Sequence, residues 1–338
     1  REVAAVNNLP LTLPETINIK DSVKSPLSVS VCNEAPRYVG RFITGINLKK
    51  KIPSLIKERL KLSDIKIIDP IVDITNYVLL ELGQPLHAFD ADKLEGNLKV
   101  RFAKEKEKIT LLDENQLSLD AKSLVIADQR KPIALAGIMG GLDTGISNKT
   151  QSIYLESAFF TPAAIRGRAR KFTIQTDAST RFERGVDFEL QVLAIKRACT
   201  LVNQTLGGSF SPIQEFLKKS SIPKNKDIIL NIKNINKSLG TDLTKSFVSK
   251  GLRSLGLINS VSNIDTLKVK VPSWRFDLKI EADLIEEIAR LVGYNNIPQT
   301  SLSKKIRTSD QALYTSIRRT FKSLGYNEVI TYSFIEES

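Results

Sequence analysis

The sequence is poor in the residues that mark secreted and metal-binding proteins. It has two cysteines in 338 residues, Cys32 and Cys199, and a single histidine, His87. Two distant cysteines exclude a disulfide scaffold and a cysteine-rich zinc site, and they favour a reducing cytoplasm. The sequence has no run of 18 apolar residues, and its first residues lack the features of a signal peptide. We therefore expect neither a membrane span nor secretion.

The remaining composition is that of a folded protein. Hydrophobic residues make up 41% of the chain and charged residues 26%, a balance that allows a sizeable core and excludes a disordered or collagen-like chain. At roughly 100 to 200 residues per domain, the length predicts two or three domains. Because the sequence begins with arginine rather than methionine, we expect it to be part of a longer protein.

The charge of the chain is strongly positive. Fifty Lys and Arg against 37 Asp and Glu give a formal net charge of +13, which fits either contact with a polyanion or a solvated lysine-rich surface. Positive charge is concentrated in residues 161–200, and this stretch is the candidate polyanion face. Its most basic part contains Arg166, Arg168, Arg170 and Lys171.

Hydrophobic periodicity and Gly/Pro punctuation predict a mixed α+β protein of several domains. Helices are predicted over 52–60, 73–82, 188–206, 244–255 and 282–292, with a proline-started helix at 162 and another through 321. Strands are predicted over 38–48, 124–127, 133–139, 152–160, 228–232, 267–271 and 328–334, with shorter ones around 100, 111 and 117. The Lys-, Ser- and Pro-containing run 216–226 is predicted to be a linker.

Three features of the first half are candidates for chemistry. His87 is either a packing residue or the only possible histidine acid or base. The small residues from Ala134 to Gly141 form either a tight turn or a place where backbone N–H groups approach a ligand; they match neither a nucleotide-binding loop nor a dinucleotide fingerprint. Glu156 lies in an apolar strand, so it needs a partner. That partner is predicted to be Arg181 or Arg184, or else the hydroxyl of a ligand.

Acidic residues also cluster near a predicted helix in the second half. Asp283, Glu286 and Glu287 are spaced i, i+3, i+4 on one helix face, and Asp277 precedes them. They either complement the helix dipole or provide oxygen ligands of the kind that magnesium takes.

Several segments, in order along the chain, resemble the beta subunit family of bacterial phenylalanine–tRNA ligases. They are VDITNY (72–77), GQPLHAFD (83–90), LAGIMGG (135–141), RFERGVD (181–187), PSWRFD (272–277) and EEIARLVGY (286–294). The resemblance covers nearly the whole chain. It implies a connector over 1–36, an editing domain over 37–215, a linker over 216–226, a small α+β domain over 227–300, and the start of a catalytic-like α+β domain over 301–338.

The resemblance also implies what the chain does. In the family, the editing domain hydrolyses tyrosine wrongly attached to the phenylalanine tRNA, tRNA(Phe). By resemblance, Glu156 accepts the tyrosine hydroxyl, and His87 orients the water or the ester. The other implied pocket residues are Thr75, Asn76, Ala136, Gly137, Gly140, Thr176 and Ala178. Magnesium, shared with the alpha subunit, is implied at Asp277, Asp283, Glu286 and Glu287.

The implied assembly is an ATP-dependent ligase of two alpha and two beta chains in the cytoplasm, with no membrane partner. Adenylation and transfer belong to alpha in this family, so we expect this chain neither to bind ATP nor to charge tRNA by itself. Two alternatives stay open from the residues. One is a noncatalytic scaffold that holds tRNA or the alpha subunit, and the other is a free-standing nucleic-acid binder.

Overall fold

The computed structural model describes residues 1–299 and 309–332. It combines helices with several sheets, which confirms the predicted α+β class. The helices are α1 (Glu2–Val6), α2 (Ser54–Leu62), α3 (Pro70–Leu82), α4 (Pro162–Ile165), α5 (Arg168–Lys171), α6 (Asp177–Arg184), α7 (Gln191–Thr205), α8 (Ile232–Leu239), α9 (Lys245–Ser254), α10 (Glu281–Val292) and α11 (Ser309–Ser323). The strands of the first half are β1 (Val29–Ser30), β2 (Arg37–Thr44), β3 (Leu86–Asp90), β4 (Leu98–Phe102), β5 (Lys108–Thr110), β6 (Gln116–Ser118), β7 (Leu124–Ala127), β8 (Pro132–Leu135), β9 (Met139–Gly140), β10 (Ser152–Phe159), β11 (Ser209–Phe210) and β12 (Gln214–Leu217). Those of the second half are β13 (Ile228–Asn231), β14 (Ile258–Asn263) and β15 (Thr266–Lys270).

A central antiparallel sheet organises the first half of the chain. Its order is β11-β2-β10-β3, and β12 also pairs with β2. Every residue of β10 is buried, because the sheet is covered on both faces. One face, with Val39 and Leu155, packs against α3 and α7. The other face, with Tyr38 and Tyr154, packs against the second sheet.

The second sheet has the order β1-β4-β7-β8-β9, with a separate hairpin of β5 and β6 beside it. Its strands β7 and β8 are buried throughout. The predicted strand 133–139 is divided in two: β8 ends at Leu135, and a turn with Gly137 at φ +68° leads into β9. A positive φ suits glycine, so the small-residue run forms a tight turn between strands.

Local signals fix the bounds of α3. The carboxylate of Asp69 caps the helix by accepting from the backbone N–H groups of Ile71 and Val72, at 2.9 and 3.1 Å. Pro70 occupies the first turn, where its missing N–H costs nothing, and Gly83 ends the helix at φ +81°. The predicted start at Asp73 was therefore too late. Asp73 is instead a buried residue whose carboxylate accepts from the backbone N–H of Ile68 at 2.9 Å.

The second half forms a smaller unit with its own core. Sheet β13-β15-β14 is covered by α8, α9 and α10, through residues such as Leu230, Leu252 and Ile288. Ala5 of α1 belongs to the same core, so the segment predicted as a connector contributes a helix to this unit. Strand β14 and helix α8 were not predicted from the sequence.

The last described segment is α11 with the residues that follow it. Its apolar side chains Leu313, Tyr314 and Phe321 are exposed in the described chain. Residues 328–332 form no strand, and the end of the predicted strand 328–334 lies outside the described residues. Within the described ranges, every helix is too short or too polar to cross a membrane.

Candidate functional site

A cavity of about 410 Å³ opens between the central sheet, the β8–β9 turn and helix α6. Most of its walls are apolar, and its polar side chains are His87 and Glu156. The lining consists of Pro85, Leu86, His87, Ile126, Ala134, Leu135, Gly137, Ile138, Met139, Gly140, Glu156, Phe160, Ala178 and Phe182.

The strand register brings the two polar residues together. In the pairing of β10 with β3, Glu156 lies directly opposite His87, and directly paired residues are close neighbours on one face of a sheet. On the other side, in β2, Glu156 lies opposite Gly40. The candidate acid or base and the candidate hydroxyl acceptor are therefore adjacent in the same wall of the cavity.

Glu156 is buried, and no cation among the residues that the structure describes contacts it. It is 5% exposed, and its Oε2 accepts a hydrogen bond of 3.0 Å from the hydroxyl of Tyr38. The predicted arginine partner was wrong, because Arg181 pairs with Asp177 at 3.6 Å and Arg184 is exposed. Burial raises the pKa of Glu156 to about 8, and the Tyr38 hydrogen bond lowers it only in part.

His87 is held as a neutral imidazole. Its ring packs edge-on against Phe89 with ring centroids 4.4 Å apart, and burial lowers its pKa to about 4. The Nε2 atom is buried and has no hydrogen-bond partner among the described residues. A buried unpaired polar atom is costly, and here it lies in the lining of the cavity, where a ligand or water can pair with it.

The glycine turn brings its backbone close to the histidine. A Cβ added at Gly140 would lie 2.4 Å from Cε1 and 2.7 Å from Nε2 of His87, so His87 keeps its place only opposite a glycine. At Gly137 an added Cβ would lie 3.0 Å from Phe160 and 3.1 Å from Phe182. Ala136 is buried outside the cavity lining, and its N–H donates to the Leu124 carbonyl at 3.0 Å.

Helix α6 forms the remaining wall. Thr176 caps this helix, since its Oγ1 accepts from the backbone N–H of Ser179 at 3.0 Å. The same hydroxyl donates to the carbonyl of Ile138 at 2.9 Å and so ties the helix to the glycine turn. Ala178 and Phe182, one turn apart, then line the cavity. Thr176 supports the pocket without lining it.

Two predicted pocket residues lie elsewhere. Thr75 and Asn76 are on α3, which packs on the opposite face of the central sheet. The hydroxyl of Thr75 donates to the carbonyl of Val72 at 2.8 Å. Conversely, the structure adds Tyr38, Phe160 and Phe182 to the site. These residues carry no local signal in the sequence, because only the pairing of distant segments brings them to the cavity.

The basic stretch borders a groove on the outer side of α6. Thr180, Glu183 and Arg184 of α6, together with Arg170 and Thr173, line a space of about 890 Å³. Arg170 and Arg184 are exposed, and among the described residues neither has an ion-pair partner. Other cations of the stretch are neutralised locally, since Arg168 and Lys171 both approach Asp120.

Three of the four predicted magnesium ligands have other partners, and the fourth, Glu286, is exposed and has no ion-pair partner among the described residues. Both oxygens of Asp277 accept from Arg275, and Glu287 is buried between Arg275 and Arg290. One oxygen of Asp283 accepts from the backbone N–H groups of Lys279 and Ile280, at 2.6 and 2.9 Å. The described residues contain no group of three or more acids, histidines or cysteines arranged to hold a metal ion. As they stand, these four carboxylates do not fit magnesium.

Three family models match the chain. The B3/4 domain model matches residues 34–207, the tRNA synthetase B5 domain model matches 228–294, and the phenylalanyl tRNA synthetase beta chain CLM domain model matches 295–338. The first of these covers just over half of the chain and contains the whole cavity.

Curated relatives are similar along the full chain. The phenylalanine–tRNA ligase beta subunits of Idiomarina loihiensis, Coxiella burnetii and Yersinia pestis are each 44% identical over 99–100% of this chain. The match covers 43% of each relative, so the chain spans less than half the length of these proteins. A solved N-terminal fragment of the phenylalanyl-tRNA synthetase beta subunit from Pyrococcus horikoshii aligns with 87% of this chain and 81% of that chain. It does so at 16% identity and a TM-score of 0.39, which is too low to support an argument.

Proposed function

The chain belongs to the B3/4 domain family, and on that premise we propose that its cavity is an editing site. The proposed reaction is the hydrolysis of tyrosine wrongly esterified to tRNA(Phe), within the beta subunit of a phenylalanine–tRNA ligase. The observation that supports it most strongly is the single buried carboxylate, Glu156, with one oxygen not engaged by any described residue, in a cavity with apolar walls.

The chemistry of the two amino acids explains the need for such a site. Tyrosine is phenylalanine with an added hydroxyl, and a hydrophobic synthetic pocket rejects such an isostere by only about 10²-fold. A second pocket that hydrogen-bonds the hydroxyl discriminates far better, because the analogue without it leaves a buried polar group unpaired. Glu156 supplies that polar group, and apolar residues such as Phe160, Phe182 and Ile126 surround it.

We assign roles to the other site residues on the same basis. His87 is neutral near pH 7 because burial lowers its pKa to about 4, so its Nε2 orients the attacking water or the ester rather than carrying a positive charge. Gly137 and Gly140 leave room for the ligand and for His87, while Ala178 lines the far wall.

Support for the cavity comes from residues outside its lining. Thr176 fixes α6 against the glycine turn, and Ala136 anchors that turn to β7 through the Leu124 carbonyl. Thr75 and Asn76 lie on α3, behind the sheet, and we assign them no direct contact with the substrate.

The groove outside α6 is our candidate path for the tRNA backbone. Its arginines, Arg170 and Arg184, lie on a groove that shares α6 with the cavity. Exposed arginines that neutralise phosphates give salt-dependent affinity. One helix therefore contributes to both surfaces, which suits a substrate whose charged backbone stays outside while its aminoacyl end enters the cavity.

For the whole protein we propose the arrangement that the relatives suggest. Residues 37–215 form the editing domain, 227–300 a small α+β domain, and 301–338 the beginning of a catalytic-like domain. The partner is an alpha subunit in a cytoplasmic assembly of two alpha and two beta chains. ATP is used by that assembly for charging tRNA(Phe) and is not bound by this chain. Any magnesium at Asp277, Asp283, Glu286 and Glu287 then requires the alpha subunit, since the first, second and fourth of these carboxylates pair with arginines or backbone N–H groups within this chain.

Deacylation of tRNA(Phe) charged with tyrosine or with phenylalanine tests the editing proposal. We expect the intact enzyme to release tyrosine much faster than phenylalanine, and Glu156→Ala to lose that preference. The matched control is Glu58→Ala, which removes an exposed carboxylate of α2, on the other face of the central sheet, and leaves both the cavity and the groove intact. Equal release of both amino acids by the wild-type enzyme contradicts the proposal.

A noncatalytic role in assembly is the second candidate. It is favoured by α11, where Leu313, Tyr314 and Phe321 expose an apolar surface that a partner subunit can cover. A protein that binds the alpha subunit and tRNA but releases neither amino acid would support this role over editing.

A further inference from the structure

Tyr38 forms a hydrogen bond with Glu156, the carboxylate of the cavity. Among the described residues, it is the only one that donates a hydrogen bond to the carboxylate of Glu156, with 3.0 Å between the phenol oxygen and Oε2. Tyr38 is fully buried, and burial and the neighbouring Glu156 raise its pKa well above the ordinary value. It therefore keeps its proton and remains a donor at any physiological pH.

The strand register explains why these two residues meet. Tyr38 is paired with Ala158, two residues beyond Glu156 in β10, so the phenol reaches the carboxylate along a diagonal of the sheet. Gly40 is the residue directly opposite Glu156. Because residues 40 and 158 are Gly and Ala, the side chain of Tyr38 has room to reach the carboxylate of Glu156.

A second phenol lies near but bonds elsewhere. Tyr154 fills the space above Gly40, since a Cβ added there would lie 2.0 Å from its hydroxyl oxygen. That hydroxyl donates to Oε1 of Gln214 at 3.3 Å, and Gln214 in turn donates to the carbonyl of Leu27 at 3.0 Å. The hydroxyl of Tyr154 is thus engaged by Gln214, while Tyr38 contacts the carboxylate itself.

On the basis of the proposed editing function, we propose that Tyr38 is the positioning residue that gives Glu156 its selectivity for a hydroxyl-bearing substrate side chain. With Oε2 engaged, Oε1 is the oxygen that has no partner among the described residues. The terminal torsion of a glutamate is broad and roughly two-fold, so the bond from Tyr38 is what selects one orientation. The substrate hydroxyl then meets a fixed acceptor.

The hydrogen bond from Tyr38 also favours the ionised form of Glu156. The titratable side chains around Glu156 are Tyr38 on β2, Tyr154 on its own strand and His87 on β3, and helix α6 presents only Ala178 and Phe182 to the cavity. No cation faces it from these elements. Burial favours the protonated acid, and the hydrogen bond from Tyr38 acts in the opposite direction. A carboxylate accepts a stronger hydrogen bond than a neutral acid does.

Two single-atom deletions in the intact enzyme test this role. Tyr38→Phe removes the hydroxyl that contacts Glu156, and Tyr154→Phe removes the equivalent atom from the phenol that bonds to Gln214. We expect Tyr38→Phe to lower kcat/KM for release of tyrosine by about 10-fold or more, as for other hydrogen bonds to charged groups, with release of phenylalanine within about twofold of wild type. Tyr154→Phe should keep the wild-type ratio of the two rates.

The pH profile separates positioning from a general loss of structure. For the wild type, release of tyrosine should rise as Glu156 ionises, and Tyr38→Phe should move that midpoint upward by about one pH unit. Tyr154→Phe should leave the midpoint in place. A wild-type enzyme that releases both amino acids alike refutes the editing proposal and this one with it. A selective wild type whose selectivity and midpoint survive in Tyr38→Phe refutes only the role of Tyr38.

Discussion

Two buried glutamates, one in each half of the chain, differ in the charge of the side chains that contact them. Glu156 and Glu287 are 5% and 7% exposed. Glu156 has one neutral donor, Tyr38, whereas Glu287 accepts from two cations, Arg275 and Arg290. Burial raises the pKa of Glu156 to about 8. Burial acts the same way on Glu287, but the hydrogen bonds and charges of the two arginines outweigh it and lower its pKa.

This difference indicates what each carboxylate is for. A buried acid that is fully paired contributes to structure, and its oxygens have no capacity left for a ligand. A buried acid without a cation destabilises the fold, and such strain is typical of sites where a ligand completes the pairing. The cavity beside Glu156 and the ion pairs around Glu287 fit these two descriptions. Replacing each of the two glutamates by glutamine, which has nearly the same shape but no charge, therefore tests the comparison.

The largest effect is expected for Glu287→Gln. It removes the charge that balances Arg275, whose side chain is only 16% exposed, and leaves a mostly buried cation with the exposed Asp277 as its remaining partner. Breaking a buried pair of this kind costs about 2 to 4 kcal/mol after allowance for partial exposure. Urea unfolding followed by tryptophan fluorescence measures it locally, because Trp274, the only tryptophan of the chain, precedes Arg275.

The control for that experiment is the neighbouring acid of the same helix. Glu286 is exposed and has no ion-pair partner among the described residues, so Glu286→Gln should change the free energy of unfolding by less than about 0.5 kcal/mol. Equal effects at 286 and 287 would show that the arginine pairs are not what stabilises α10, and the comparison with Glu156 would fail.

Glu156→Gln should have the opposite sign, and its size should depend on pH. The pKa of Glu156 rises from 4.5 to about 8 on folding, so unfolding between these pH values releases a proton. The wild type therefore loses stability as the pH rises through this window, while the amide does not titrate. We expect the variant to gain little near pH 4.5 and about 1 to 3 kcal/mol near pH 8.

Hydrogen exchange of the amides of β10 is a direct measurement of that gain. Slower exchange in Glu156→Gln at pH 8, with no difference near pH 4.5 after correction for the intrinsic rates, is the expected result. Glu287→Gln serves as the comparison. The pKa of Glu287 is lowered from 4.5, so its ionisation changes stability only below pH 4.5. If Glu156→Gln gains the same free energy of unfolding at pH 4.5 and pH 8, burial does not raise the pKa of Glu156.

Much of the fold could be predicted from the sequence because its strongest signals are local. Helix α7 and strand β10 lie within a few residues of their predicted bounds. Helix α8 was missed because its sequence IKNINKSL is short and polar, and it is stabilised by the cap from Asn231 and by burial of Ile232 and Ile235. Strand β14 was missed because most of its residues are exposed and few are strand formers.

The site was predictable only in part, for a related reason. The sequence shows that Glu156 needs a partner, but the partner is 118 positions away and is selected by strand register. The nearer arginines looked adequate by charge, yet they belong to a helix whose inner face presents Ala178 and Phe182 instead. Likewise, the i, i+3, i+4 spacing of the acids in α10 could not show that Arg275 and Arg290 occupy Glu287.

Apart from the Glu286→Gln control, the smallest effect is expected for Asp277→Asn, which tests whether burial or the number of ion pairs decides stability. Asp277 contacts Arg275 through both oxygens, as closely as Glu287 does, but its side chain is 56% exposed. Exposed pairs contribute about 0.2 to 1 kcal/mol, so we expect a loss of about 0.5 kcal/mol in the same fluorescence assay. In a double-mutant cycle with Glu287→Gln, that loss should grow, because Asp277 is then the only acid on Arg275 among the described residues. A loss as large as that of Glu287→Gln would mean that contact geometry alone sets the contribution of these carboxylates. The stabilisation by Glu287 would then come from its two arginine contacts, whether or not they are buried.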